Sequence, residues 1–138
     1  MPSVKIPARL RRLVIARAKN ICEYCLLHQD NSDFSHQIDH IIPRKYNGAT
    51  IVINLALACL KCNKYKGPKI ATLDPIDNEI APLFNPRTQF WDEHFELLGA
   101  FIIGKTRIGR ATVAALKLND PMRVNQRQEL FAEGRYPR

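Results

Sequence analysis

Cys22-Glu23-Tyr24-Cys25 and Cys59-Leu60-Lys61-Cys62 decide the fold. They hold all four cysteines of the chain, as two identical C-x-x-C pairs with 33 residues between them. Each knuckle turns the chain tightly enough to aim two thiolates at one ion, and two knuckles fill the four positions of a tetrahedral zinc site. A redox C-x-x-C would leave the second copy unexplained, and four free thiols would leave the matched spacing unexplained. A closed set of four thiolates offers no open position to a substrate, so this zinc is expected to be structural. Pinning by metal rather than by disulfides suits an intracellular chain.

The elements around the knuckles follow from periodicity and punctuation. Leu10, Leu13, Val14 and Ala18 recur at helical spacing behind Pro7, which predicts a helix over about Pro7 to Lys19, capped by Asn20. Between the knuckles, Phe34 to Ile42 reads as a strand ended by Pro43, and Arg44 to Thr50, with Asn47-Gly48, as a loop. Ile51 to Ala58 reads as a short buried strand interrupted near Asn54, and Leu60 to Lys66 as a short helix stopped by Gly67-Pro68. Further on, Thr72 to Arg87 holds Pro75, Pro82 and Pro86 and is expected to be a connection crossing the surface. Phe90 to Ile103, broken at Gly99, suits a hairpin, with helix as the alternative for Trp91 to Leu98. Thr106 is placed to cap a helix over Arg107 to Leu118, and Asp120-Pro121 to start a last helix to about Ala132, closed by Gly134. Trp91 and Phe95 are expected in the core. The expected architecture is α+β, one domain over residues 1–138, with its core at 21–67 and a C-terminal extension at 68–138.

Length and composition fit that reading. A chain of 138 residues that is 46% apolar suits one compact domain, and no apolar run approaches the roughly 18 residues needed to span a bilayer. The first 20 residues lack the unbroken apolar stretch of a secretory signal, so the expected location is the cytoplasm. The net charge of +8 is unevenly placed: residues 1–20 contribute +6, residues 21–104 contribute −3, and residues 105–138 contribute +5. Basic ends around a mildly acidic middle suggest a polyanion partner with chemistry at the centre.

That chemistry has a candidate. Ile38-Asp39-His40-Ile41-Ile42-Pro43 sets a hard oxygen ligand beside an imidazole at the end of a strand. Neighbouring strand residues point to opposite faces, so the pair can hold a metal and activate a water only where the strand bends or ends, as Pro43 and the Asn47-Gly48 loop allow. If the two strands and the helix fold over one another, Asp39 and Asn63 face one ion from opposite elements. Cys62 directly precedes Asn63, so the zinc site would fix the helix that presents it. His36, two residues before Ile38, is expected to be packed or on the surface, and His28 and His94 are ordinary surface or partly packed residues.

The run Asp39-His40-Ile-Ile-Pro, then Asn54-Leu, then Cys59-Leu-Lys-Cys62-Asn63-Lys-Tyr-Lys66-Gly67 resembles the HNH endonuclease family, and Cys22-Glu-Tyr-Cys25 resembles its four-cysteine zinc-ribbon branch. The likeness covers roughly Ile21 to Gly67. It implies a ββα-metal core that hydrolyses DNA phosphodiester bonds, giving 5′-phosphate and 3′-hydroxyl products. On that resemblance Asp39 and Asn63 hold one Mg2+ or Mn2+, His40 is the general base, and Asn54 ties the loop that orients His40. Arg44, Lys45, Lys61, Lys64 and Lys66 are the bases offered to the backbone phosphates of double-stranded DNA, with the terminal basic helices clamping it. Two alternatives stand beside this: a non-catalytic zinc-ribbon module that binds nucleic acid, and a nuclease acting on RNA.

Overall fold

The computed structural model describes residues 5–138. Helix α1 (Ala8–Ala18) starts directly after Pro7, whose fixed φ suits a helix entry, and ends in left-handed backbone at Lys19, one residue before the expected cap. Strands β1 (Gln37–His40) and β2 (Leu55–Ala58) pair antiparallel, in register from Gln37 opposite Ala58 to His40 opposite Leu55. The two strands are shorter than the sequence suggests. The β-branched run before Leu55 is spent on a one-turn 3-10 helix, Val52–Asn54, and another, Arg44–Tyr46, follows Pro43.

Strand alternation sorts the two faces of this hairpin. Leu55, Leu57 and Ile38 lie on one face, packed with Val14 of α1. Ala56 and Ala58 lie on the other, in the cluster that contains Cys59 and Cys62. Their small side chains leave room for helix α2 (Leu60–Lys66), which the second knuckle launches and Gly67 ends. β1, β2 and α2 make the ββα core of an α+β fold.

Residues after Gly67 depart from expectation most at the prolines, and the helix that starts at Arg107 ends at Ala115, short of Leu118. The proline-bearing stretch holds a hairpin, β3 (Ala71–Leu73) and β4 (Ile80–Pro82), rather than a bare connection. Its turn is built by Asp74, whose side chain accepts from the Ile76 amide at 3.0 Å and whose own amide donates to the Glu79 carbonyl at 2.8 Å. Pro82 is tolerated because a two-stranded ladder consists of edges. A single helical turn, α3 (Trp91–His94), then precedes the expected hairpin, β5 (Phe95–Leu98) and β6 (Phe101–Gly104). Helix α4 (Arg107–Ala115) is capped by the Thr106 hydroxyl on the Gly109 amide at 3.0 Å, and α5 (Pro121–Ala132) opens on its proline.

The main core takes residues from both sides of Gly67. Cys22, Tyr24, Cys25, Ala56, Cys59 and Cys62 are buried in one cluster with Phe84, Phe95, Ile102, Leu116, Leu130 and Tyr136. Phe84 meets Tyr24 and Phe95 edge-on, with ring centres 6.5 and 5.3 Å apart. Among the described residues no helix is long and apolar enough to cross a membrane.

Candidate active site and metal centre

The four cysteine sulfurs lie within 4.8 Å of one another, and all four residues are buried. Among the described residues they are the one group of three or more His, Cys, Asp or Glu side chains near enough to share an ion. Cys25 Sγ and Cys59 Sγ are 3.7 Å apart. A tetrahedron with zinc–sulfur bonds of about 2.3 Å has edges of about 3.8 Å, whereas a disulfide needs about 2.05 Å. The spacing fits four thiolates around one zinc. Each knuckle shows the same internal bond, the Cys25 amide on Cys22 Sγ at 3.5 Å and the Cys62 amide on Cys59 Sγ at 3.4 Å. Burial pushes the Cys22 and Cys62 thiols up, while hydrogen bonds from Cys22, Cys59 and Cys62 hold Cys25 low. A thiolate already favoured inside a buried sulfur cluster is what a soft cation stabilises.

Later parts of the chain grip the first knuckle residue by residue. Arg87 forms an ion pair with Glu23, whose other oxygen accepts from the Leu57 amide at 2.7 Å. The Trp91 indole donates to the Tyr24 carbonyl at 2.9 Å, and the Tyr136 hydroxyl to the Cys25 carbonyl at 2.7 Å. The Arg138 amide reaches the Leu26 carbonyl at 3.2 Å. On the second knuckle, Arg123 donates to Cys62 Sγ at 2.9 Å.

Asp39 is 4% exposed and sits on the α2 face of β1. Its Oδ1 accepts from Lys66 Nζ at 3.1 Å and its Oδ2 from the Tyr24 hydroxyl at 2.6 Å. Burial raises its pKa, opposed by Lys66 and the Tyr24 hydrogen bond. Asn63, one helical turn before Lys66 on α2, donates from its amide nitrogen to Gln37, two residues before Asp39 on β1. Asp39 and Asn63 therefore share the seam between β1 and α2, each with a protein partner of its own. Both are hard oxygen donors, the chemistry that suits Mg2+ or Mn2+. Asn63 keeps Oδ1 as the atom that could act as a ligand, while both oxygens of Asp39 already accept hydrogen bonds.

His40 is half-buried on the opposite side of β1 from Asp39. Its Nε2 lies 2.9 Å from the Thr50 hydroxyl. Burial lowers its pKa, with Arg44 and Lys66 adding to the effect against Asp39, so the imidazole is neutral near pH 7. The loop that carries Thr50 is tied by Asn54. Its side chain accepts from the Ile42 amide at 2.8 Å and donates to the carbonyls of Ile42 at 3.0 Å and Ala49 at 2.9 Å.

The basic residues divide. Arg44, Lys45, Lys61 and Lys64 are exposed. Lys66 is not: it is 1% exposed, and its ammonium is taken up by Asp39 and by the carbonyls of His40 and Ile41, both at 3.2 Å. It is a cation inside the site and not one offered to a phosphate backbone. Tyr24, Gln37 and Thr50 complete the arrangement, and no motif spacing announces them. His36 is buried, with Nε2 on the Leu27 carbonyl at 2.8 Å, and lies outside the site.

With this geometry in hand, comparison with known proteins is specific. A model of the HNH endonuclease family matches residues 22–69, the stretch from the first knuckle to just past α2. The chain is also 25% identical over 112 residues to the Septu protein PtuB of Bacillus thuringiensis. That alignment covers 80% of this chain and 41% of the relative, so the chain spans about two fifths of that protein's length. No solved structure matches. Residues 22–69, which contain all four cysteines, are similar to the HNH endonuclease domain.

Proposed function

We propose that the protein is a metal-dependent endonuclease that hydrolyses phosphodiester bonds of double-stranded DNA, with His40 as its general base. The observation that carries this reading is the placement of His40. It is half-buried at the end of β1 with Nε2 beside the Thr50 hydroxyl, and burial lowers its pKa, which favours the neutral imidazole. With Nε2 donating to the Thr50 hydroxyl, Nδ1 keeps its lone pair to accept a proton. The attacking water gives its proton to Nδ1 as its oxygen bonds to phosphorus. The bond from phosphorus to the 3′ oxygen breaks with its electron pair on that oxygen, which takes a proton from solvent, leaving a 5′ phosphate and a 3′ hydroxyl.

Asp39 and Asn63 would hold the catalytic divalent cation, Mg2+ or Mn2+, which stabilises charge on the phosphate and the departing oxygen. Asn54 holds the loop so that the imidazole keeps its orientation. The four cysteines hold a structural zinc, and exposed Arg44, Lys45, Lys61 and Lys64 face the phosphate backbone beside the site. The whole chain folds as one unit.

A second reading is favoured by one observation: Lys66 and Tyr24 close both oxygens of Asp39. A non-catalytic zinc-ribbon module would bind nucleic acid in a salt-sensitive way and show no metal-dependent nicking. Nicking of supercoiled plasmid in Mg2+ separates the two readings, with RNA duplex as a parallel substrate. We expect wild-type cleavage of DNA and at least about a 100-fold loss in His40→Ala. Because the base must be neutral, activity rises with pH through its pKa, and the midpoint falls below the ordinary imidazole value of about 6.5. Cleavage that persists unchanged in His40→Ala sinks the mechanism.

A further inference from the structure

Helix α5 lies outside the residues matched by the HNH family model, yet it sends a buried cation into the cysteine cluster. Arg123 is 6% exposed. One terminal nitrogen, Nη2, lies 2.9 Å from Cys62 Sγ and 3.8 Å from Cys59 Sγ. The other, Nη1, donates to the carbonyls of Leu116 at 2.7 Å and Lys117 at 3.3 Å, just past α4. Arg127, one turn further along α5, is 2% exposed and supplies an internal control. Its Nε donates to the Ala100 carbonyl at 2.9 Å, and its Nη2 to the Leu118 carbonyl at 2.8 Å and Asn119 Oδ1 at 3.2 Å. Neutral oxygens, with the centre of the Tyr136 ring 5.9 Å from the Arg127 guanidinium carbon, therefore suffice to seat a buried guanidinium on this helix. The turn of Arg123 toward sulfur needs another cause.

Charge supplies it. Four thiolates around one Zn2+ carry a net charge of −2 in a buried site, and an uncompensated buried charge is costly. A guanidinium against two of the four sulfurs halves that charge and places a charge-assisted hydrogen bond on Cys62. It acts on the knuckle that launches α2, and so on the helix that presents Asn63 and Lys66.

We propose that Arg123 is the counter-cation of the four-cysteine zinc centre, holding Cys62 and, less closely, Cys59 as metal-bound thiolates and thereby setting how firmly zinc is retained. No bond is broken and no proton moves; the hydrogen bond draws electron density from sulfur. The inference rests on the zinc reading above and assigns to the C-terminal extension a part of the metal centre.

The test uses the full chain as wild type, Arg123→Met, Arg123→Lys and Arg127→Met. Zinc content is measured first, then the rate of zinc release to a chromophoric chelator, then the absorption spectrum after Co2+ substitution. We expect one zinc per wild-type chain and release about ten- to a hundredfold faster from Arg123→Met, the range that losing a charge-assisted hydrogen bond corresponds to. Arg123→Lys should lie between the two. The thiolate-to-cobalt charge-transfer band should move to longer wavelength in Arg123→Met, because a sulfur freed of its donor gives up charge more readily. In Arg127→Met, which loses bonds to Ala100, Leu118 and Asn119 but none to a sulfur, the band should stay at the wild-type position. Wild-type chain without zinc overturns both this proposal and the zinc reading. Zinc in the wild type with unchanged release in Arg123→Met, or an equal band shift in Arg127→Met, overturns this proposal alone. If Arg123→Met does not fold, Arg123→Lys decides: release and band both identical to wild type overturn it.

Discussion

Lys66 and Asp39 form a buried ion pair, with both side chains at least 95% enclosed, in the seam between β1 and α2. Two charges taken out of water are tolerable only together, so removing one should cost more than removing both. Lys66→Met, which strands the carboxylate, is expected to lower folding stability by about 3–5 kcal/mol. Lys66→Met with Asp39→Asn should recover much of that loss, since an amide at position 39 still accepts from Tyr24. Urea unfolding of the two variants and the wild type checks it, and equal losses in both variants would show that the pair is not coupled. This pair also marks the limit of what is legible in the chain at this scale. Asp39, His40, Asn54 and Asn63 stand out because their order and spacing are informative. Lys66 belongs to the same run, but a lysine on a short helix carries no sign of whether its stem points to solvent or under the strand. Tyr24 and Thr50 are hydroxyls that reach the site from 15 and 10 residues away, and only folding brings them there.

The loop from Ile41 to Asn54 follows directly on the β1 end that carries His40 and brings Thr50 to its Nε2. Asn54 bonds it across its mouth, and Gly48 closes it from inside: its amide donates to the Pro43 carbonyl at 3.0 Å. A Cβ on Gly48 would overlap the Ile42 carbonyl oxygen and crowd that of Pro43. Backbone cannot yield as a flexible side-chain tip does, so Gly48→Ala must push the loop open. The expected cost is about 1–3 kcal/mol in stability, as for other overpacked positions, with a loss of more than about tenfold in cleavage as His40 and Thr50 separate. Zinc content should stay at the wild-type level, because the loop lies away from the cysteines. Metal analysis beside the nicking assay separates damage to the loop from damage to the fold. Element by element, the sequence signals were uneven. Helices α2, α4 and α5 carry strong start or stop residues and appear where those residues place them. The β3–β4 hairpin does not announce itself, because its strands are three residues each and its ladder includes Pro82. Its stability comes instead from Asp74, which is held by Arg110 of α4 through contacts of 2.6 to 3.1 Å, a partner 36 residues away that no local pattern reports.

Across the whole molecule, structure redistributes the charge that the sequence places at both ends. The C-terminal bases mostly turn inward or pair with neighbours. Arg123 and Arg127 are buried, Arg110 and Arg107 bind the acids of the β3–β4 hairpin, and Arg135 pairs with Glu133. Of the eight C-terminal bases, Lys105, Lys117 and Arg138 are left exposed and outside any ion pair among the described residues. On α1, Arg17 is spent on the carbonyls of Val52 and Leu55, whereas Arg9 and Arg12 are exposed and belong to no ion pair among the described residues. Three positions apart on a helix, they share a face. If that face meets a nucleic-acid backbone, each arginine displaces about 0.9 counterion from a phosphate of duplex DNA, so the slope of log affinity against log salt is a direct count. Arg9→Ala with Arg12→Ala should flatten that slope by about 1.8 and weaken binding at low salt, with little change in stability because both side chains are in water. Arg107→Ala with Arg110→Ala is the matched control in number of charges. It should leave the slope as it is while loosening the β3–β4 hairpin from α4, because those two arginines answer to Asp74, Asp77 and Glu79 rather than to a phosphate. Binding measured across salt concentrations for both pairs checks it. A slope that falls equally in the two pairs would return Arg107 and Arg110 to the nucleic-acid surface and require the ion pairs around Asp74 to open on binding.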